Sequence, residues 1–349
     1  MKTLITNYRN LPGEHCGSAA TRNLLYHYCG LELSESVIFG LGAGIESMFI
    51  KVNALDPAIS IFGRSISMEA DALGALGIDY REQPEFDNHK AWEDVKNEVI
   101  AGRPTMITGD IFFLDYRDYK VRFPGHRFIL LGFDDEQKIA YVADRVNPAP
   151  QTCSYRALAE SRNPATGITT FNLWGKFFDT TVKNSLEQAA VRALKTCVAR
   201  MMGTDTSQAD LLKSVTGDGA VIITGIDGLS EFAKDMINWH EREDAARLAS
   251  YNSQCIEKFG TGGGNFRKLY TGFLNWATHI VPDIVNTNHV KLSADSARNW
   301  TALAALLQTA SENTGSSDIW QRVSGKVIEI RDIEAELFES LNTLLPSNH

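Results

Sequence analysis

The sequence lacks the features that mark several common classes of protein. No run of about 18 apolar residues occurs, so a membrane-spanning helix is not expected. The first residues contain no sustained apolar stretch, so we expect no secretory signal. There is no Lys- or Arg-rich run, and a net charge of −9 over 349 residues disfavours binding to nucleic acid. These absences predict a globular protein of the cytoplasm that binds neither membrane nor nucleic acid.

Cysteine is scarce, and the chain carries no complete metal or nucleotide motif. The five cysteines are Cys16, Cys29, Cys153, Cys197 and Cys255. They have no CxxC spacing, which excludes a zinc ribbon and indicates a reducing compartment without a disulfide framework. Residues 240–244 do not complete HExxH, and the glycine cluster at 39–44 matches neither GxGxxG nor a Walker loop. We therefore predict no bound metal and no bound nucleotide.

A change of pattern near residue 150 predicts two domains. The first part of the chain mixes helical and strand-like stretches, whereas long amphipathic helical patterns dominate the second. Between them, residues 147–150 (Asn-Pro-Ala-Pro) interrupt the pattern and predict the boundary. The sequence thus predicts an α+β chain, with one domain over residues 1–150 and a mainly helical domain over residues 151–349.

One cysteine occupies a position typical of a nucleophile. Cys16 follows a Pro-Gly turn and precedes an apolar helical pattern that starts at Ala19, so it is predicted to lie at a helix N-terminus. There, unpaired N–H groups and the positive end of the helix dipole favour the thiolate, the form that attacks acyl groups. The alternative is that Cys16 is a packed small residue in a binding module, since cysteine is commonly buried.

A hairpin supplies a base and its partner for Cys16. His126 begins a continuous apolar run that predicts a strand covered on both faces, and Asp144 ends the returning strand. Antiparallel pairing brings the start of one strand beside the end of the next. The sequence therefore predicts a Cys-His-Asp triad in which His126 moves the proton and Asp144 orients the imidazole. His15 is favoured as a pocket or packing residue over a second candidate base, because adjacent residues at a helix start point in different directions.

Other residues are candidates for the same site. Asn10, six residues before Cys16, is a candidate oxyanion donor together with the Cys16 backbone N–H, and a role in the turn is equally open. Asp110 and Tyr116 lie in an aromatic and acidic stretch that is a candidate pocket wall, with an edge strand as the alternative. With His15, they are the predicted substrate-binding residues.

Several separated motifs then occur in a familiar order. They are HCGS at 15–18, FGLGAG at 39–44, GH at 125–126, ADR at 143–145 and GGGNFRKLY at 262–270. In this order they resemble the butirosin biosynthesis protein H family over nearly the whole chain. The resemblance implies a papain-like, leader-peptidase-type cysteine domain, followed by the uncharacterised helical domain that usually accompanies it.

The resemblance also implies acyl transfer. The family's named member moves an aminoacyl group from the phosphopantetheine thioester of an acyl carrier protein to the amine of an aminoglycoside. By resemblance, Cys16 is the nucleophile, His126 the base and Asp144 the orienting carboxylate, while Asn10 stands where related leader peptidases carry an oxyanion glutamine. The expected partners are an acyl or peptidyl carrier protein, which brings the phosphopantetheine, and a small amine acceptor.

Hydrolysis and a non-enzymatic binding module stay open beside acyl transfer. The same triad could act in hydrolysis, as a peptidase, amidase or thioesterase. Aromatic residues of the second domain could line either a pocket or a homodimer interface. The sequence identifies neither the acyl group nor the acceptor.

Overall fold

The computed structural model describes residues 1–53, 55–166, 169–217 and 219–346, and it mixes helices with strands as the α+β prediction expects. The strands are β1 (Lys2–Leu4), β2 (Ile45–Lys51), β3 (Ile59–Arg64), β4 (Asp79–Gln83), β5 (Thr105–Gly109), β6 (His126–Asp134), β7 (Ile139–Asp144), β8 (Asn147–Ser154), β9 (Trp174–Asp179) and β10 (Val221–Ile223). The helices are α1 (Cys16–Cys29), α2 (Glu35–Leu41), α3 (Met68–Ala75), α4 (Asn88–Ile100), α5 (Tyr155–Arg162), α6 (Leu186–Met201), α7 (Ser207–Thr216), α8 (Gly225–Met236), α9 (Ala245–Glu257), α10 (Arg267–Ile280), α11 (Thr287–Glu312) and α12 (Ser317–Leu344). Within the described residues, no helix combines the length and apolar character needed to cross a bilayer.

The chain forms two compact units that interleave along the sequence. The first unit consists of Met1–Glu35 and Gly77–Lys183, and the second of Ser36–Leu76 and Asn184–His349. This division differs from the predicted boundary near residue 150. The stretch after β7 stays with the first unit, and the stretch between α1 and β4 belongs to the second.

The predicted break at residues 147–150 is in fact a strand. β8 pairs antiparallel with β7 and forms one end of the strand order. Pro148 and Pro150 have no N–H to donate, but an edge strand has one side that no neighbour pairs with, and proline is tolerated there. The prolines therefore lie in an edge strand inside the first compact unit.

An antiparallel sheet forms the centre of the first unit. Among the described residues the strand order is β4-β9-β5-β6-β7-β8, and β1 pairs with β6. Phe128 and Leu130 of β6 join the apolar cluster of α4 and α5, whereas Ile129 and Leu131 join that of α1. Because successive side chains of a strand point to opposite faces, α1 covers one face of the sheet and α4 with α5 the other. The predicted burial of β6 on both faces is confirmed.

Helix α1 begins at Cys16, as the sequence predicts. His15 is its N-cap, with extended backbone, and its Nδ1 accepts a hydrogen bond from the Ser18 N–H. Gly30, at a φ of 64°, ends the helix in the left-handed conformation that glycine adopts easily. The local sequence therefore determines both ends of the helix that carries the thiol.

The second unit is mainly helical around a small antiparallel sheet of β10, β2 and β3. Its core includes the fully buried indoles of Trp239, Trp300 and Trp320, packed among α8, α9, α11 and α12. The patterns of α6 and α8 to α12 are visible in the sequence, whereas β2 and β3 are not predicted from it.

Candidate active site

The turn before Cys16 is tied to the end of β7. The Gly13 N–H donates to the carbonyl of Arg145 (2.8 Å), and Arg145 Nη1 donates back to the Gly13 carbonyl (3.2 Å). On the other side, the Glu35 carboxylate accepts from the His15 backbone N–H (2.8 Å). These contacts hold the N-terminus of α1 beside the residue that ends the hairpin.

The three predicted triad residues lie together. His126 is the first residue of β6 and Asp144 the last of β7, and the imidazole Nε2 lies 2.9 Å from Asp144 Oδ2. The Cys16 side chain hydrogen-bonds to the same imidazole, for which the ring's other nitrogen, Nδ1, is available. All three residues are buried, with exposures of 6 % or less. The arrangement is a thiol, an imidazole and a carboxylate in series.

The Asp144 carboxylate is surrounded by donors. Its Oδ2 accepts from the Tyr116 hydroxyl (3.0 Å), and its Oδ1 accepts from the Arg145 backbone N–H (2.6 Å). Arg117 Nη2 approaches Oδ2 to 2.9 Å without the alignment of a hydrogen bond, so Arg117 contributes charge. These groups fix the carboxylate, and through it the orientation of the imidazole.

Burial and charge act in opposite directions on this pair. Burial alone raises the pKa of Asp144, but the His126 imidazolium, Arg117 and the Arg145 N–H together hold that pKa well below its usual range. Burial alone lowers the pKa of His126, but Asp144 and then Cys16 raise it to about 9. At neutral pH the site therefore contains an imidazolium paired with a carboxylate, a state that also stabilises a thiolate on Cys16.

We expect the Asp144→Asn substitution to lower the pKa of His126 from about 9 to its ordinary value near 6.5 or below. The reason is that the amide removes the negative charge that holds the proton, while burial continues to disfavour the cation. The measurement is an NMR titration of ¹⁵N-labelled histidine rings, with the His126 signal assigned from His126→Gln.

The Glu136→Gln variant is a control, because Glu136 is an exposed carboxylate just past the far end of β6. An unchanged His126 titration in Asp144→Asn would contradict the assigned pairing.

The raised pKa of His126 also makes the stability of the folded protein depend on pH. Because the folded pKa lies above 6.5, the contribution of His126 is fully present below pH 6.5 and is lost as the pH rises through about 9.

The structure argues against the predicted oxyanion role of Asn10. Its Nδ2 donates to the carbonyls of Asp144 (2.8 Å) and Asn147 (2.6 Å), so both amide hydrogens are used. Its Oδ1 accepts from Asn23 of α1 (2.8 Å). Asn10 therefore bridges helix α1 and the β7–β8 turn. The other predicted donor, the Cys16 backbone N–H, belongs to the first residue of α1.

The predicted substrate-binding residues have structural contacts. His15 is buried and caps α1. Asp110 is fully buried, and its Oδ1 accepts from the N–H groups of Phe112 (3.1 Å) and Phe123 (2.9 Å) while Oδ2 pairs with Arg122. The Asp110 stretch is a 3-10 turn and not the edge strand considered as the alternative. These contacts make Asp110 an anchor of the loop between β5 and β6.

Tyr116 lies at the site, but its hydroxyl contacts Asp144 instead of lining an open pocket. Sequence reasoning missed two further residues, Arg117 and Glu35. The position of Arg117 could have been predicted, because it lies in the loop between the paired strands β5 and β6, and that loop leads back to His126 at the start of β6. Glu35 carries none, since its contacts depend on the path of the chain after α1.

The geometry defines an α+β chain with a buried thiol–imidazole–carboxylate site. Among the described residues, no group of three or more His, Cys, Asp or Glu side chains could hold a metal ion. The N-terminal model of butirosin biosynthesis protein H matches residues 15–145, and a domain of unknown function (DUF4872) matches residues 156–341. The chain therefore belongs to the butirosin biosynthesis protein H-like family that joins these two domains. A comparison with curated proteins finds no match.

The family is linked to butirosin biosynthesis, which is consistent with a biosynthetic enzyme. The two matched segments meet near residue 150, whereas the compact units interleave across that point. Sequence families and packing thus divide this chain differently.

Proposed function

We propose that this protein is an acyltransferase that moves an acyl group from a carrier-bound thioester, through an acyl-enzyme on Cys16, to an amine. The observation that carries the proposal is the buried series Cys16–His126–Asp144, with the thiol at a helix N-terminus. A papain-like arrangement, in which such a helix packs on an antiparallel sheet bearing the imidazole, is part of the proposal. The link to butirosin biosynthesis supports a biosynthetic role over a degradative one.

In the first step the Cys16 thiolate attacks the thioester carbonyl. The new carbon–sulfur bond replaces the one to the phosphopantetheine thiol, which leaves with the proton held by His126. One thioester replaces another, so the step is nearly balanced in free energy. The carrier protein supplies the phosphopantetheine as part of the substrate.

In the second step an amine attacks the acyl-enzyme. His126, now neutral, accepts the proton from the nitrogen, and Cys16 leaves as the thiolate. The product is an amide, which is more stable than a thioester and draws the sequence forward. The step succeeds only when the amine reaches the acyl-enzyme faster than water does.

We expect intact-mass spectrometry to show one acyl adduct per chain after incubation with an acyl-pantetheine thioester. The adduct should be absent in Cys16→Ala and discharged by an added amine, because only acyl transfer yields the amide. The measurement is the chain mass before and after the amine, together with the ratio of amide to free acid.

The alternatives give different products in the same experiment. Discharge to the free acid alone, with amine present, would identify a thioesterase. Peptide cleavage without any adduct from thioesters would identify a hydrolase of peptides or amides. An adduct that persists in Cys16→Ala would contradict the proposed nucleophile.

A further inference from the structure

A cavity of about 240 Å³ lies between α4 and α5 in the first unit. The residues that form its walls include Trp92, Tyr155, Leu158, Ala159, Arg162 and Asn172. Asn88, His89 and Ala159 are exposed, so the cavity opens to solvent. Its walls are mainly apolar and aromatic, with one buried guanidinium among them.

That guanidinium is poorly satisfied. Arg162 is only 2 % exposed, yet to the described residues it donates just two hydrogen bonds, to the carbonyls of Ala91 (3.3 Å) and Asn172 (3.2 Å). Both are longer than a typical N–H···O bond, and Nε has no acceptor among the described residues. Three of the five N–H donors therefore have no acceptor in the part of the chain that the structure describes. A buried cation in this state is costly unless an anion joins it.

A second arginine in the chain shows what full satisfaction requires. Arg267 is also 2 % exposed, and all five of its N–H groups donate. Its Nε and Nη2 bind the two oxygens of Glu334, each at 2.8 Å. Arg162 has the burial of Arg267 without the carboxylate.

The surrounding charges do not replace that carboxylate. Asp94 is the nearby acidic group that acts on Arg162, but its Oδ2 accepts from Lys90 (2.7 Å), and no described carboxylate lies within 4 Å of the Arg162 guanidinium. Burial lowers the pKa of Arg162 to about 10, with Asp94 opposing it. The local field at Arg162 therefore favours an added negative charge.

This cavity is separate from the thiol site. α4 and α5 pack on the sheet face that carries Phe128 and Leu130, whereas α1 packs on the opposite face. The Tyr155 hydroxyl donates to Asp135 (2.9 Å), just beyond the end of β6 that lies opposite His126. A ligand in this cavity would therefore lie on the face of the sheet opposite α1 and Cys16.

We propose that the cavity between α4 and α5 binds a small monocarboxylate with an apolar body, its carboxylate paired with the Arg162 guanidinium that forms part of the wall. The planar fork of a guanidinium matches the two oxygens of a carboxylate. Trp92, Tyr155 and Leu158 provide the apolar surface for the body. With one arginine among the walls, the site matches a single negative charge.

Phenylacetate and its neutral isostere phenylacetamide test the proposal by calorimetry on the full chain. We expect phenylacetate to bind one to one and phenylacetamide at least tenfold more weakly. Arg162→Met and Ala159→Phe should each weaken phenylacetate binding at least tenfold, the first by removing the charge and the second by filling the cavity. Phenylacetate should also shift the Trp92 indole N–H signal, assigned from Trp92→Phe.

The controls separate this site from others. Cys16→Ala should bind phenylacetate as the wild type does, and Arg162→Met should unfold at an unchanged or higher midpoint, because it removes an uncompensated buried cation. The proposal would be overturned if phenylacetamide bound as tightly as phenylacetate, or if no phenylacetate bound at millimolar concentration. It would also be overturned if Cys16→Ala lost phenylacetate binding, or if the Trp92 indole N–H signal did not shift. Inorganic phosphate that binds more tightly than phenylacetate would overturn the carboxylate assignment.

Discussion

Replacing Cys16 by alanine is expected to lower acyl transfer by at least about 10⁴-fold while the fold is retained. In the proposed mechanism the substitution removes the one atom that forms the acyl-enzyme, so neither His126 nor Asp144 has a nucleophile to act on. Alanine has the highest helix propensity, and position 16 is the first residue of α1, so the helix should still form. The rate of amide formation and the thermal unfolding midpoint are the two measurements.

Cys29→Ala is the matched control for that experiment. Cys29 is the last residue of the same helix, and its thiol donates to the carbonyl of Thr180 (3.2 Å). Burial raises the pKa of Cys29, so its sulfur stays a thiol. We expect its rate to stay within about twofold of wild type. Similar losses in the two variants would contradict the assignment of Cys16.

The sequence predicts the centre of the candidate site because two local patterns position its members, although the contact between Cys16 and His126 is long-range. A Pro-Gly turn before an apolar helical pattern is enough to place Cys16 at a helix start. The hairpin of β6 and β7 places His126 beside Asp144, and this pairing does not depend on the order of the other strands. Asn10 illustrates the limit of such reasoning. Its spacing from Cys16 is that of an oxyanion donor, but the direction of its amide depends on carbonyls more than 130 residues away.

The division into units is harder to predict because it depends on distant contacts. In the second unit, Arg267 donates to the carbonyl of Gly63 (3.0 Å) and to the hydroxyl of Ser47 (2.7 Å). These bonds join positions 204 and 220 residues apart, and neither leaves a local pattern in the sequence. Composition changes near residue 150, but it does not show that the stretch carrying Ser47 and Gly63 folds with the later helices.

The glycine loop before α10 shows how that long-range contact is built. Residues 261–264 form a glycine-rich loop shortly before a helix N-terminus, a position where backbone N–H groups often bind an anion. Gly262, Gly263 and Gly264 all have positive φ, and the left-handed backbone continues to Phe266. The Gly263 N–H donates to Thr261 and that of Gly264 to Glu257, so both are already used within the loop. The loop thus turns the chain sharply, so that the Arg267 side chain lies in the core of the second unit.

Glu334 is the partner on which the buried charge of Arg267 depends. Its carboxylate is 1 % exposed and also accepts from Ser296 Oγ (2.6 Å) and Trp300 Nε1 (2.9 Å). Four donors thus converge on one carboxylate in the core of the second unit. Removing one member of a buried ion pair costs more than the pair contributes, because the remaining charge stays buried without a partner.

We therefore expect Glu334→Gln to lower the free energy of unfolding of the second unit by about 3–5 kcal/mol. Glu329→Gln is the matched control, because it makes the same change on the same helix at an exposed residue paired with Lys326, where about 1 kcal/mol or less is expected. Because the chain has two compact units, hydrogen exchange of α11 and α12 amides should accompany denaturant unfolding. Equal losses in the two variants would show that the Arg267 charge is compensated by its carbonyl and hydroxyl acceptors alone.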